Sequence, residues 1–194
     1  MQWLQGRLPA PEVVAFGSVG DQEALLTSAV PGTNLAVLAK RLSPDEIVEM
    51  LASALRALHS VNANGCPFKA YRPGGTLVHG DACLPNFMCQ DDRTVNGYID
   101  LGEMGVGDIE VDLSAAVWSL QYNLRADHGR QFLRAYGLPD PTDHDVRRLW
   151  TMYATKAALP GRLRAEVVRS GDRYAPFVRR RPYNFGPKPA GGGL

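Results

Sequence analysis

Residues 76–113, TLVHGDACLPNFMCQDDRTVNGYIDLGEMGVGDIEVDL, set His79, Asp81, Asn86, Asp100, Asp108 and Asp112 between short apolar runs. A soluble domain rarely spends so many acids in one stretch for structure alone. Hard divalent cations take oxygen ligands, and Mg²⁺ is usually held by one or two protein oxygens while phosphates and water complete its octahedron. Asn86 and Asp100 suit that role. Asp81 then remains to accept a proton from an attacking hydroxyl, with His79 and the surrounding backbone fixing the turn. Two other readings compete. His79, Asp81 and Asp100 could ligate a transition metal in a hydrolase, but the chain has only four histidines, His59, His79, His128 and His144, and no HxxxH pair. Alternatively Asp81, Asp108 and Asp112 cap turns and helices, a reading that weighs most for Asp108 and Asp112.

Three short strands are expected to carry the trio, over 76–78, 87–89 and 95–99, with the polar residues falling where the strands end. Upstream, VVAFGSV and EALLTSAV flank Gly20-Asp21-Gln22 and read as a β-hairpin. Pro31-Gly32-Thr33-Asn34 breaks that pattern as a turn and hinge. Ser43 as N-cap, Pro44 in the first turn and Glu46 three residues after the cap open a helix with Ile47, Leu51, Ala54, Leu55 and Leu58 on one face. His59 ends it and is read as a packing histidine outside the site. Residues 61–75 form a Gly-, Pro- and Asn-rich connection. Further helices are expected from near Asp112 (Leu113, Ala116, Val117, Leu120), over Gln131 to Tyr136 with Gly137 closing it, and after a Thr142–Asp145 cap, carrying Val146, Leu149, Trp150 and Tyr153 inward. The fold class is α/β in the broad sense, more strictly α+β.

With 194 residues and 45% hydrophobic content the chain can bury a real core. Its net charge of +1 hides an asymmetry: 13 Lys/Arg against 18 Asp/Glu over 1–159, and 8 against 2 over 160–194. The Arg-, Pro- and Gly-rich tail is expected to be disordered or loosely docked from Arg179 onward. Its Arg179-Arg180-Arg181 run is read as a solvated charge cluster, so neither nucleic acid nor anionic lipid is an expected partner. Cys66, Cys83 and Cys89 lack metal-ligand spacing, which fits packing residues in a reducing compartment. No apolar leader follows Met1 and no apolar run approaches the roughly 20 residues that span a bilayer, so the expected location is the cytoplasm, away from membranes. There is no internal repeat.

HGDACLPN followed by GYIDLGEMGVGDIEVDL resembles the catalytic and metal-binding loops of the aminoglycoside 3′-phosphotransferases, which share the protein-kinase-like fold. The likeness extends through LLTSAVPGTNL, LRALHSVNANGCPF, FLRAYGL and RRLWTMY, roughly residues 12–159. The resemblance implies transfer of the ATP γ-phosphoryl group to an aminoglycoside hydroxyl. It makes Asp81 the catalytic base and Asn86 and Asp100 the Mg²⁺ ligands, and puts Ser28, Ala29 and Val30 at the hinge where backbone meets adenine. Glu110 and Asp112 are carried over as acids for the cationic substrate. It also implies three parts: 1–30 as a remnant of the N-terminal lobe with the hinge, 31–160 as the C-terminal lobe, and 161–194 as the tail.

Several features depart from the family. No Gly-rich phosphate loop, strand lysine or helix glutamate precedes Glu12; only Lys69 to Thr76 stands where the family has an acidic helical insertion; Lys156 and Ala157 replace substrate-binding acids; and Glu103 replaces a usual arginine. Removing one preorganised electrostatic group typically costs on the order of 10²–10³ in rate, so antibiotic phosphorylation is expected to be impaired. A two-stranded remnant is marginal and its edges invite pairing, making a homo-oligomer an expected state. The alternative is a catalytically inactive binding module whose basic tail contacts an acidic partner.

Overall fold

The computed structural model describes residues 2–68, 74–91, 93–158, 163–167 and 178–182. Strands β1 (Val13–Val19) and β2 (Gln22–Thr27) form the expected antiparallel hairpin, with Val19 opposite Gln22 and a bulge between Val13 and Ala15. The expected turn at 31–34 is only half a turn. Thr33–Asn34 forms β3, pairing with Cys89 and Met88 of β5 (Phe87–Cys89), and Asn34 caps the single-turn helix α1 (Leu35–Leu38) by accepting from Val37 N–H. Gly32 makes the entry possible. Its φ is +112°, and a Cβ there would collide with the carbonyl of Cys89.

Helix α2 (Pro44–His59) begins as its sequence specifies. Ser43 Oγ accepts from Glu46 N–H at 3.3 Å while Glu46 Oε2 accepts from Ser43 N–H at 2.8 Å. The Ser43 hydroxyl, donating to Glu46 Oε2 at 2.7 Å, and then the Ser43 N–H hold the Glu46 carboxyl below its usual range. Ile47, Leu51, Leu55 and Leu58 are completely buried. β5 continues through a three-stranded sheet to β6 (Val95–Tyr98), and β4 (Thr76–Val78) pairs with β7 (Gly105–Gly107), a strand whose GVG sequence carries no pattern to announce it. Helices α3 (Glu110–Leu124), α4 (Gly129–Tyr136) and α5 (Asp143–Ala158) complete the core, α3 lying against α5 and α4 against α2. Gly137 closes α4 in the left-handed conformation, and Thr142 with Asp145 caps α5, as expected.

One orientation differs from expectation. Val146, Leu149 and Tyr153 are buried, but Trp150 is 38% exposed, because it sits at the margin of the stripe the other three define. The residues before the hairpin also join the core. Leu4 and Leu8 are buried, Pro9 carbonyl accepts from Tyr98 N–H at 2.9 Å, and Trp3 meets Phe68 edge-on. In the basic tail, expected to be disordered or loosely docked from Arg179 onward, β8 (Leu163–Val167) and β9 (Val178–Pro182) pair antiparallel, with Val178 and Pro182 opposite Val167 and Leu163. The rest of the tail, residues 69–73, and the side chains of Lys156 and Ala157 lie outside the described residues. Among the described residues no helix is long and apolar enough to cross a membrane.

Candidate active site

The loop 79–86, HGDACLPN, leaves β4 and is fixed from four sides. Asp112, in the first turn of α3, accepts from His79 N–H at 2.7 Å and from Gly80 N–H at 2.8 Å. Two turns further along the same face, Ser119 Oγ accepts from Leu84 N–H at 2.9 Å. His79 donates from Nε2 to the Ile99 carbonyl at 3.0 Å, which leaves Nδ1 to accept from Asp81 N–H at 3.3 Å. Finally Gly80, at φ +84°, lies so close to the carbonyl of Glu103 that no Cβ would fit. That close approach joins the loop to the turn Leu101–Glu103 just after Asp100.

These ties bring the trio together. Asn86 Nδ2 donates to the Asp81 carbonyl at 2.8 Å, and Ile99 N–H donates to the Asn86 carbonyl at 3.0 Å, putting Asp100 next along the chain from a residue bonded to Asn86. Asn86 is 8% exposed, with its amide nitrogen engaged in that bond. Asp100 is an exposed carboxylate in the left-handed region at φ 59°. A non-glycine residue held there typically costs on the order of 1–3 kcal/mol, a strain that accumulates at functional sites. An amide oxygen and a carboxylate form a hard, all-oxygen donor set, which fits Mg²⁺. His79 fits the transition-metal alternative poorly, since it is fully buried with both ring nitrogens engaged.

The matching family model is described as the phosphotransferase enzyme family, and it covers residues 1–76 and 68–150. The chain belongs to the phosphotransferase enzyme family. An aminoglycoside 3′-phosphotransferase of Niallia circulans is 27% identical over 77% of this chain and 73% of its own length. A probable aminoglycoside 3′-phosphotransferase of Lactococcus lactis is 27% identical, with the match spanning 64% of each protein. In three dimensions the chain is similar to the aminoglycoside phosphotransferase APH(3″)-Id of Streptomyces rimosus, solved with ADP and streptomycin: 23% identity, TM-score 0.61 and 76% of each chain covered. The fold of this family member is therefore protein-kinase-like and α+β, as the sequence resemblance implied.

The remaining site residues of this phosphotransferase fall into different surroundings. Ser28, Ala29 and Val30 follow β2. Ser28 is tied to Glu12 twice, through N–H to the Glu12 carbonyl at 2.8 Å and through Oγ accepting from Glu12 N–H at 2.9 Å, while the Val30 side chain packs on Gly97 of β6. Glu110 is half-buried and gripped by Arg148 through two bonds of 2.7 and 2.9 Å, which raise the guanidinium above its ordinary value. Asp112 requires correction as a substrate acid. It is fully buried, and besides the two loop N–H groups it meets His59 Nε2 at 3.0 Å, so its oxygens organise the loop and have no face toward a substrate. His59 is accordingly a packing histidine, its Nδ1 lying 2.8 Å from the Tyr136 hydroxyl. Burial, and then the Asp112 carboxylate, push that phenol upward. Asp108, one residue ahead of the α3 N-cap Ile109, accepts from Glu110 N–H at 2.9 Å.

Two neighbours of Asp81 escaped sequence reasoning. The Tyr153 hydroxyl donates to Asp81 Oδ1 at 2.6 Å, and Cys83 Sγ lies 3.3 Å from the same oxygen and 3.2 Å from the hydroxyl. Burial first, then the neighbouring Cys83 and Asp81, push the Tyr153 phenol far above its usual value, so it stays a proton donor. The only sequence signal for Tyr153 was its place on the inward stripe of α5, which marks core and not chemistry.

Proposed function

We propose that this chain is an O-phosphotransferase that moves the γ-phosphoryl group of ATP to a hydroxyl of an aminoglycoside, acting in the cytoplasm. The observation that supports the reading is the pair of bonds, from Asn86 Nδ2 to the Asp81 carbonyl and from Ile99 N–H to the Asn86 carbonyl, that sets the segments carrying Asp81, Asn86 and Asp100 side by side. The names borne by the similar curated proteins support the acceptor class. As the acceptor oxygen bonds to the γ-phosphorus and the bond to the leaving ADP oxygen breaks, Asp81 takes the hydroxyl proton. Asn86 and Asp100 would hold Mg²⁺, which neutralises charge on the β- and γ-phosphates when bound. Backbone groups at Ser28, Ala29 and Val30 would meet the adenine, and the hairpin with this hinge is the part of the kinase fold that covers nucleotide.

The acceptor side is weakened by two commitments. Asp112 is buried beneath the loop, and the charge of Glu110 is matched by Arg148. Convergent unpaired carboxylates are what hold a polycation, so the acceptor is gripped loosely and its KM is high. The test is transfer of labelled phosphate from Mg·ATP to kanamycin. Transfer that saturates only at high kanamycin and falls by about 10²–10⁴ in Asp81→Asn is the expected outcome. Absence of transfer to every member of an aminoglycoside panel, or transfer indifferent to Asp81→Asn, overturns the proposal.

A further inference from the structure

We infer that Tyr153 is the positioning residue for the base, so that helix α5 sets the direction in which Asp81 faces its acceptor. The inference rests on the phosphotransfer reading of Asp81. The loop 79–86 fixes the backbone of Asp81 thoroughly, but backbone bonds do not orient a carboxyl plane, because that terminal torsion is broad and roughly two-fold. Orientation must come from side-chain partners. Tyr153 supplies one at 2.6 Å, a length proper to a charge-assisted O–H···O⁻ bond. The Cys83 thiol closes a small triangle with both oxygens at 3.2 and 3.3 Å.

The phenol is itself immobilised. Tyr153 is 3% exposed, and its ring packs at 5.2 Å on that of Trp118 in α3, which in turn stacks on Tyr122 at 5.2 Å with the planes 8° apart. The base is therefore held between two helices. The loop comes from the α3 side through Asp112 and Ser119, and the carboxyl plane from the α5 side through Tyr153. With Oδ1 engaged by a fixed donor, the carboxylate presents a single orientation to the hydroxyl it deprotonates. Tyr153 touches neither substrate nor phosphate in this scheme; it acts through Asp81.

Tyr153→Phe in the full chain tests this, with two readouts. In Mg·ATP-dependent transfer to kanamycin, kcat should fall about 10- to 100-fold, the scale expected of a misplaced reacting group, while KM for ATP and acceptor stays within about twofold. Independently of activity, urea midpoints of wild type, Tyr153→Phe, Asp81→Ala and the double variant form a cycle. The shift caused by Tyr153→Phe should shrink in the Asp81→Ala background, where the bond to the carboxylate is already gone and only the contact with Cys83 Sγ is left to lose. Midpoint shifts that simply add, or an unchanged kcat in Tyr153→Phe, overturn the inference. If the wild-type chain transfers no phosphate, the phosphotransfer reading fails, and non-additive or additive midpoints still decide whether α5 holds the Asp81 carboxyl.

Discussion

Asp112 shows how one buried acid can do more for a site than the residues that react. Its two oxygens satisfy the N–H groups of His79 and Gly80 and meet His59 Nε2, all out of water. Each buried donor left unsatisfied costs about 1–3 kcal/mol, and Asp112 satisfies at least two of them. Asp112→Ala should therefore lose about 3–5 kcal/mol of stability, read as a lower urea midpoint at unchanged slope. Asp112→Asn keeps the shape but turns an NH₂ toward donors and should lose about 1–3 kcal/mol. A loss below about 1 kcal/mol in Asp112→Ala would mean the loop is held by other bonds. That Asp81, Asn86 and Asp100 lie beside short strands was legible in the sequence, because local pattern places strand ends. The use of Asp112 was not. Its partners lie 32 and 33 residues earlier, and nothing in the residue type says whether an acid faces a substrate or the underside of a loop.

At the scale of elements, the strand that delivers Asp100 is clipped to α2 by a buried phenol. Tyr98 is 2% exposed and its hydroxyl donates to the Ala54 carbonyl at 2.9 Å. Burial pushes this phenol up to about 12 from an ordinary value of 10.0. Below pH 10 it is neutral in folded and unfolded chains alike, and its contribution is intact. Between pH 10 and 12 the unfolded chain ionises first, so stability drains away with rising pH. By pH 12 the gap of about two pH units amounts to roughly 2–3 kcal/mol. Urea midpoints across pH 9–12 should fall more steeply in wild type than in Tyr98→Phe by that amount; equal slopes would sink the assignment. The elements themselves differed in legibility for a physical reason. Helix α2 announces itself because its cap, first-turn proline and apolar stripe are all local, whereas β7 exists only because Gly105, Val106 and Gly107 find β4 as a partner. Tertiary pairing leaves no periodicity in three residues.

For the molecule as a whole, the hairpin and the helical body differ in how they are stabilised. None of residues 13–27 belongs to the buried cluster, and Val14, Phe16 and Val19 are 57%, 67% and 59% exposed. A two-stranded sheet with no buried face is marginal on its own, since its ladder bonds are open to water. Amide exchange should accordingly divide the chain. Amides of β1 and β2 should exchange through local opening, far faster than those of α2 and α3, whose protection should approach the global unfolding limit. Substitution should divide it in the same way. Phe16→Ser removes a large side chain already in water and should alter stability by no more than about 0.5 kcal/mol, while Leu55→Ala opens a cavity in a completely buried position and should cost about 2–5 kcal/mol. Protection of β1 equal to that of α2, or a Phe16→Ser loss on the Leu55→Ala scale, would mean that the hairpin's apolar side chains are covered in solution, and oligomeric state would then be the next quantity to measure. Because the proposed adenine-facing backbone at 28–30 hangs between this loosely held hairpin and the sheet that carries Val30 on Gly97, Mg·ATP binding there should slow exchange in β1 and β2 selectively. The body, already ordered by Asp112 and Tyr153, has little further order to gain.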